Sequence, residues 1–311
     1  MRANDYIAVL LSTYNGQDYI KEFLNSLYNQ TVDDFMLYIR DDGSKDDTRK
    51  IIDEFKKDKK NIIFLEDNNN LGPVLSFNSL LEVALENKNI KYFMFADQDD
   101  IWLIDKIETS LSTIKKEEEN SGQLPLLVHT DLTVVDQKLE VIGLSFFEYQ
   151  KLNPKRIMFN HLLMQNVITG CTVIINRELA KVCFPISSSA IMHDWWIGLT
   201  ASVFGKVVYL NRTTILYRQH SGNSIGAKKY DIRYLFERLT HKVTLIKNIY
   251  QARSFHNNYA DYMDESKRYI LEQFLSLKDS TFLIIRFKLI KNKFLKHGIL
   301  RNVGLLLRLK N

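Results

Sequence analysis

The first hundred residues alternate four short apolar runs with helical patterns, and each part of that alternation limits what the chain can become. YIAVLLS at 6–12, MLYIRDDGS at 36–44, NIIFLED at 61–67 and KYFMFA at 91–96 read as strands. Near-continuous apolar runs of this length belong to strands covered on both faces. Between them, Ile20, Phe23, Leu24 and Leu27 mark a helix over about residues 18–29. Ile51, Ile52 and Phe55 mark a second helix that Asp46 or Asp47 can cap, and SFNSLLEVALEN, after the turn NNNLGP, marks a third. This order predicts an α/β fold with a parallel, doubly wound layer. Ligands of such layers bind beyond the C-terminal strand ends. STYNG, RDDGS and ADQDD all fall at those ends.

Past ADQDD the pattern predicts packing at Ile101-Trp102 and a helix from Leu103 to Lys116. KKEEENSGQ reads as a solvated loop, and LPLLVHTDLTVVD as a strand and turn. A helix over 158–170, a strand in GCTVIINRE and a helix in MHDWWIGLTASVFG follow. KVVYLNRTTILYRQHSGNSIG reads as two short strands and a polar loop. Beyond about residue 226 the chain turns to long helical patterns: YDIRYLFERL, VTLIKNIYQARSF and YILEQFLSL. The division expected is therefore a catalytic domain over 1–225 and a helical region over 226–311.

Charge separates the same way. The net charge is +5, but residues 281–311 alone carry eight basic residues and no acid, so the remainder is slightly acidic. A basic character confined to one segment argues against a general nucleic-acid surface. Two cysteines, Cys171 and Cys183, exclude a disulfide framework and a multi-cysteine metal site, and fit a reducing compartment. The N-terminus lacks a signal-peptide pattern, and no uninterrupted apolar stretch is long enough to span a membrane.

The chemistry gathers in a few clusters. Asp97 and Asp99, one residue apart, can converge on an oxygen-coordinated Mg2+ or Mn2+, which can hold a diphosphate as a leaving group. Alone the spacing is weak, and a solvated turn would produce it too; behind the fourth strand of this layer it points to a metal site. Asp100 reads as a structural or acceptor-side residue. Asp41-Asp42 closes the second strand, where Gly43 permits a tight turn. The first strand lacks GxGxxG, and no GxxxxGK[ST] is present, so nicotinamide and P-loop chemistry are not expected. A nucleotide can still bind by stacking on Tyr14, otherwise a loop-packing aromatic, and by donating a base N–H to Asp42. Asp194, before two tryptophans, fits either a general base with a raised pKa or a helix N-cap. Gly170 could admit a sugar close to the backbone. His220 can complete a carboxylate-rich metal site or stand solvated in its loop.

These motifs resemble the family 2 glycosyltransferases, with their GT-A, Rossmann-like nucleotide-diphospho-sugar transferase fold. The likeness rests on VLLSTYNGQDYIKEFLNSLYNQT, IRDDGSKDDT, FADQDDIW and HDWW, in the family's order over about residues 6–220. It is narrowest with bacterial dTDP-rhamnose-dependent rhamnosyltransferases, including those of streptococcal rhamnose cell-wall polysaccharide. The resemblance implies that Thr13, Tyr14, Asp41, Asp42 and Asp97 bind the nucleotide. It implies Asp97, Asp99 and His220 as metal ligands and Asp194 as the catalytic base of an inverting reaction, giving an α-rhamnosyl linkage. Other donors consistent with the motifs are a UDP-hexose or a UDP-N-acetylhexosamine; a sugar nucleotidyltransferase is a further alternative. Two positions depart from the family: Phe77 stands where many members have arginine, and His193 where many have an acid. Diphosphate contact would then fall to the metal, His220, Arg218 or a lysine. The QxxRW motif and membrane spans of processive synthases are absent, so few-step transfer is expected.

The resemblance also implies a polyprenyl-diphosphate-linked saccharide acceptor and a role in cell-wall or capsular polysaccharide synthesis. The tail, TFLIIRFKLIKNKFLKHGILRNVGLLLRLKN, interleaves apolar and basic residues as an amphipathic helix pair on an anionic membrane does. A helical hairpin packed on the catalytic domain or on a partner has the same pattern. The expected location is the cytoplasmic face of the cell membrane. A homodimer, or docking to other polysaccharide-assembly enzymes, stays open.

Overall fold

A computed structural model describes residues 7–65, 67, 69–220 and 244–309. Four strands build the expected parallel layer: β1 (Ile7–Thr13), β2 (Met36–Asp41), β3 (Ile62–Leu65) and β4 (Tyr92–Asp97), in the spatial order β3-β2-β1-β4. The helices between them are α1 (Ile20–Tyr28), α2 (Thr48–Lys56) and α3 (Gly72–Glu86). On α1, Ile20, Phe23, Leu24 and Leu27 are all buried, each contributing about 1.5–3 kcal/mol by leaving water. Asp47 occupies the N-cap of α2 without a side-chain bond, while Asp46 Oδ1 accepts the Thr48 N–H at 3.1 Å. The sheet then becomes mixed. Beyond β4 come β8 (Val173–Asn176), β6 (Leu126–Val135), β9 (Lys206–Arg218) and the two-residue β5 (Ile101–Trp102), with β7 (Val141–Gly143) beside β6.

Several boundaries differ from the sequence reading. KKEEENS is not loop: α4 (Lys106–Ser121) carries it as helix, ending only at Gly122, whose φ of 69° reverses the chain. The two short strands expected over 206–218 are one strand, β9. Leu210 pairs with Thr130 and Thr213 with Asp131, so Asn211 and Arg212 bulge out and pairing resumes. The helix expected over 158–170 is short, α6 (Phe159–Met164), after the single turn α5 (Phe146–Tyr149). The proposed boundary near 226 and YDIRYLFERL lie outside the described residues.

The strand period of two sends Ala8 and Leu10 to one face and Ile7, Val9 and Leu11 to the other, so two cores form. The first includes α3, α7 (Arg177–Cys183) and α8 (His193–Phe204), and extends into the C-terminal helices α9 (Ile246–Tyr259), α10 (Glu265–Leu275), α11 (Phe282–Lys291) and α12 (Ile299–Arg308). Trp196 of α8 packs edge-on to Phe255 of α9, with ring centroids 5.3 Å apart. The two helices of the basic tail thus pack on the body through Ile285, Leu289, Phe294 and Leu305. Its other face leaves Phe282, Leu283, Phe287, Ile299 and Leu307 exposed.

Candidate active site at the strand ends

Register brings the three polar clusters to one rim. Thr13 lies opposite Asp41, and Ser12 opposite Asp97. Behind the rim, Thr13, Asp41 and Asp42 are buried and bonded to protein. Asp41 Oδ1 accepts from the Thr13 hydroxyl at 2.9 Å and the Ser44 hydroxyl at 2.6 Å, and its Oδ2 from the Ser44 N–H. Asp42 accepts the Arg40 guanidinium and the backbone N–H groups of Leu71 and Gly72. The side chains of Asp41 and Asp42 therefore tie the segments at Thr13, Ser44, Leu71 and Gly72 to the end of β2. Tyr14 stands out from them, 49% exposed.

Two organising residues at this rim escaped the sequence reading. Arg40 is fully buried and ties Asp42, Ser76, Asp67 and the Asn69 carbonyl together. Its signal was a lone arginine inside an apolar strand, which a buried charge network requires. Gln98 makes two bonds to the Tyr14 backbone, accepting its N–H at 2.9 Å and donating to its carbonyl at 2.8 Å. A Cβ at Gly16 would lie 2.1 Å from Gln98 Oε1, so glycine there makes room for this bridge.

The acidic turn splits in two. Asp99 Oδ2 lies 2.8 Å from His220 Nε2, a direct hydrogen bond between two of the residues expected as metal ligands. Asp97, at the end of β4, has an oxygen within 4.8 Å of ligand atoms of Asp100 and Cys171. Burial, then the charges of Asp99 and Asp194, push the Asp97 carboxyl up to about 7. Asp100 is fully buried beneath the rim, and burial followed by Asp99 and Asp97 raises its pKa well above the usual carboxylate range. Its Oδ1 accepts the Arg218 N–H at 3.3 Å. The Cys171 thiol is likewise pushed up by burial, so it stays protonated and is a poor ligand for a hard cation.

His220 is held from behind. Its ring stacks on Tyr19 at 4.5 Å. Arg218 lies over the other ring, 5.0 Å from the Tyr19 centroid, and pairs with Glu22 of α1. Its Nε also donates to the Asp99 carbonyl at 3.0 Å and its Nη1 to the Gln137 carbonyl at 2.6 Å. Arg218 is thus committed to holding the turn, which removes it from the groups available to a diphosphate.

Asp194 is not the N-cap of α8; Met192 is, and Asp194 lies inside the first turn. Its carboxylate accepts the Gly170 N–H at 2.8 Å and the Asn166 amide at 3.0 Å. Burial pushes its pKa up to about 7, against these hydrogen bonds and that of the Trp195 N–H. Glycine at 170 also makes room for this arrangement: a Cβ there would lie 2.6 Å from His193 Nε2. The two positions that depart from the family pattern meet each other. The Phe77 and His193 rings lie 3.9 Å apart, with Phe95 behind both. Burial lowers the His193 pKa to about 3, so a neutral aromatic pair fills the place of a charged one.

The model of glycosyl transferase family 2 matches residues 8–184, more than half of the chain. The chain belongs to this family. Like other family 2 members it is a glycosyltransferase. A Shigella flexneri relative, "dTDP-rhamnosyl transferase RfbG", is 29% identical over 80% of this chain and 87% of its own. The Escherichia coli protein "UDP-Glc:alpha-D-GlcNAc-diphosphoundecaprenol beta-1,3-glucosyltransferase WfgD" is 26% identical over 73% of this chain and 82% of its own. Among solved structures, S. aureus TarS 1-349 in complex with UDP-GlcNAc superposes with a TM-score of 0.54 at 19% identity, covering 93% of this chain and 89% of that one. The fold is the expected GT-A, Rossmann-like one with a C-terminal helical extension.

Proposed function

We propose that this family 2 member transfers a hexose from a nucleoside-diphosphate sugar to a hydroxyl of a lipid-linked saccharide, with inversion at the anomeric carbon. The observation that carries this reading is the Asp194 carboxylate, held by Gly170 and Asn166 and within electrostatic reach of Asp97. A carboxylate with its pKa near 7 is matched to a general base at neutral pH. Asp194 takes the acceptor hydroxyl proton as the new C–O bond forms and the bond to the leaving diphosphate breaks. The oxygen-and-imidazole donor set of Asp97, Asp99 and His220 suits Mn2+ or Mg2+. Held there, the ion would supply positive charge to the leaving diphosphate. Tyr14 offers its exposed ring to the base, and Thr13, Asp41 and Asp42 shape the pocket around it.

For the donor, a UDP-hexose or UDP-N-acetylhexosamine has the broader support: two E. coli relatives are named for UDP-Glc, and TarS is seen with UDP-GlcNAc. Transfer of L-rhamnose from dTDP-β-L-rhamnose, giving an α-rhamnosyl product, is the second reading. It is favoured by the Shigella relative, whose match covers most of both chains. The names of the E. coli relatives also support a polyprenyl-diphosphate-linked acceptor. Among the described residues no helix is long and apolar enough to cross a membrane. The outer face of α11 and α12 instead sets exposed Phe282, Leu283, Phe287 and Leu307 beside basic side chains, the pattern of an interfacial helix on anionic lipid. This pattern supports a peripheral seat on the cytoplasmic face of the membrane as part of the proposal.

A donor-turnover panel tests the reading. UDP-glucose, UDP-N-acetylglucosamine and dTDP-L-rhamnose are each incubated with Mn2+, with Mg2+ and with EDTA, and nucleoside diphosphate release is measured. One donor should turn over, and only with a divalent ion. Turnover of dTDP-L-rhamnose alone would move the assignment to the rhamnosyl reading. Turnover of none, or full turnover in EDTA, would sink the proposal.

A further inference from the structure

A cavity of about 310 Å³ lies among the C-terminal helices, away from the strand-end rim. Ile249 of α9, Leu277 just past α10, Ile285 of α11 and Leu309 just past α12 form much of its apolar wall. Its mouth is open, since Tyr250, which also lines it, is 59% exposed. The volume is that of a small ligand site, and apolar walls give water few partners. Two cations complete it. Arg253 sits one turn from Ile249 on α9, and Lys278 follows Leu277. Both are exposed, and among the described residues no carboxylate pairs with either.

Among the described residues this is an apolar chamber flanked by two cations with no acid in its lining, which fits a hydrocarbon chain ending in phosphate. We propose that this cavity binds the proximal chain of a phosphate-bearing lipid, with Arg253 and Lys278 holding the phosphate. The inference rests on the reading of a membrane-seated enzyme with a lipid-linked acceptor. The wall residue Ile285 lies on the helix that exposes Phe282, Leu283 and Phe287, so one helix would meet the bilayer and close the chamber. Such a site would keep the chain at the surface from which its acceptor comes. The chemistry has two sources: the isoprenoid diphosphate of the acceptor, and an anionic phospholipid of the bilayer.

The test is calorimetric titration of the full chain in EDTA without sugar nucleotide, so that the metal-dependent donor site does not contribute. Two probes are used, farnesyl diphosphate and monomeric dihexanoyl phosphatidylglycerol, with inorganic diphosphate as the headgroup alone. At least one amphiphile should bind at one site, and inorganic diphosphate should not compete at equal concentration. The double variant Arg253→Gln/Lys278→Gln and the cavity-filling Ile249→Trp should each weaken binding at least tenfold. Asp194→Asn should bind as the parent does. Preference for farnesyl diphosphate assigns the site to the acceptor lipid, and preference for the phospholipid assigns it to the bilayer. Binding of neither probe, or equal binding by parent and both variants, overturns the proposal. Because no transfer is measured, a failed donor panel would leave this result standing, and the reverse also holds.

Discussion

Replacing Asp194 by asparagine separates a catalytic carboxylate from a structural one. The parent carboxyl has a pKa of about 7 in the folded protein against an ordinary 3.8. At about 1.4 kcal/mol per pKa unit, keeping it ionised in its buried site costs about 4 kcal/mol. The sign follows from proton linkage. Between pH 3.8 and 7 the folded state holds a proton that the unfolded state has lost, so stability falls as pH rises through that window. Between pH 5 and 7 this one group should remove about 2–3 kcal/mol. The amide does not titrate there, so Asp194→Asn should lack that part of the slope, and the part due to Asp97 should shrink with it, because the Asp194 charge helps raise the Asp97 carboxyl. In absolute terms the variant also loses an acceptor. It presents an NH2 to the Gly170 N–H or to the Asn166 amide, at a cost of about 1–3 kcal/mol. The measurement is urea unfolding of both proteins at pH 5, 6, 7 and 8. The difference in stability between them should shift in favour of the variant as pH rises, and transfer should fall by about 10²–10⁴-fold with donor binding retained. Parallel stability profiles, or full transfer activity in the variant, would refute the reasoning.

Three further outcomes follow from the same geometry. Asp99→Asn and His220→Ala each remove one partner of the 2.8 Å pair, and each should weaken Mn2+ binding by at least tenfold in calorimetry; unchanged affinity would take that residue out of the metal site. Glu22→Gln frees one arm of the Arg218 clamp behind Tyr19 and His220. It should raise the Mn2+ concentration needed for half-maximal rate about two- to tenfold while leaving the rate at saturating Mn2+ near that of the parent, and an equal loss at all Mn2+ concentrations would mean a general structural role. Gly16→Ala should displace Gln98 from its two bonds to Tyr14. The cost should be about 1–3 kcal/mol, largely absent when the same change is made in a Gln98→Ala background; a full-sized effect there would place the strain elsewhere.

Much of the fold was legible because it follows from periodicity. The runs ending at Thr13, Asp41 and Asp97 are the strands the pattern predicts, and parallel pairing alone brings their ends to one rim. That His220 joins the carboxylates was one of two readings open from residue type, and the packing of β9 beside β5 brings it to Asp99, 121 residues away. Other features lay beyond local pattern. The bulge at Asn211 and Arg212 depends on register with β6, which no single strand encodes. The exchange of a charged pair for Phe77 and His193 joins residues on two helices that sequence shows only as separate oddities. Arg218 looked available because its partners, Glu22 and the carbonyls of Asp99 and Gln137, come from three distant segments. Asn166, which holds Asp194, sits in an irregular stretch with no periodic signal.

The central claim is a single displacement with Asp194 as base, and the configuration of the product tests it most directly. Proton NMR of the first-formed glycoside should show inversion relative to the donor: a β product from an α-linked UDP-hexose, or an α-rhamnoside from dTDP-β-L-rhamnose. Retention of the donor's anomeric configuration would contradict the account.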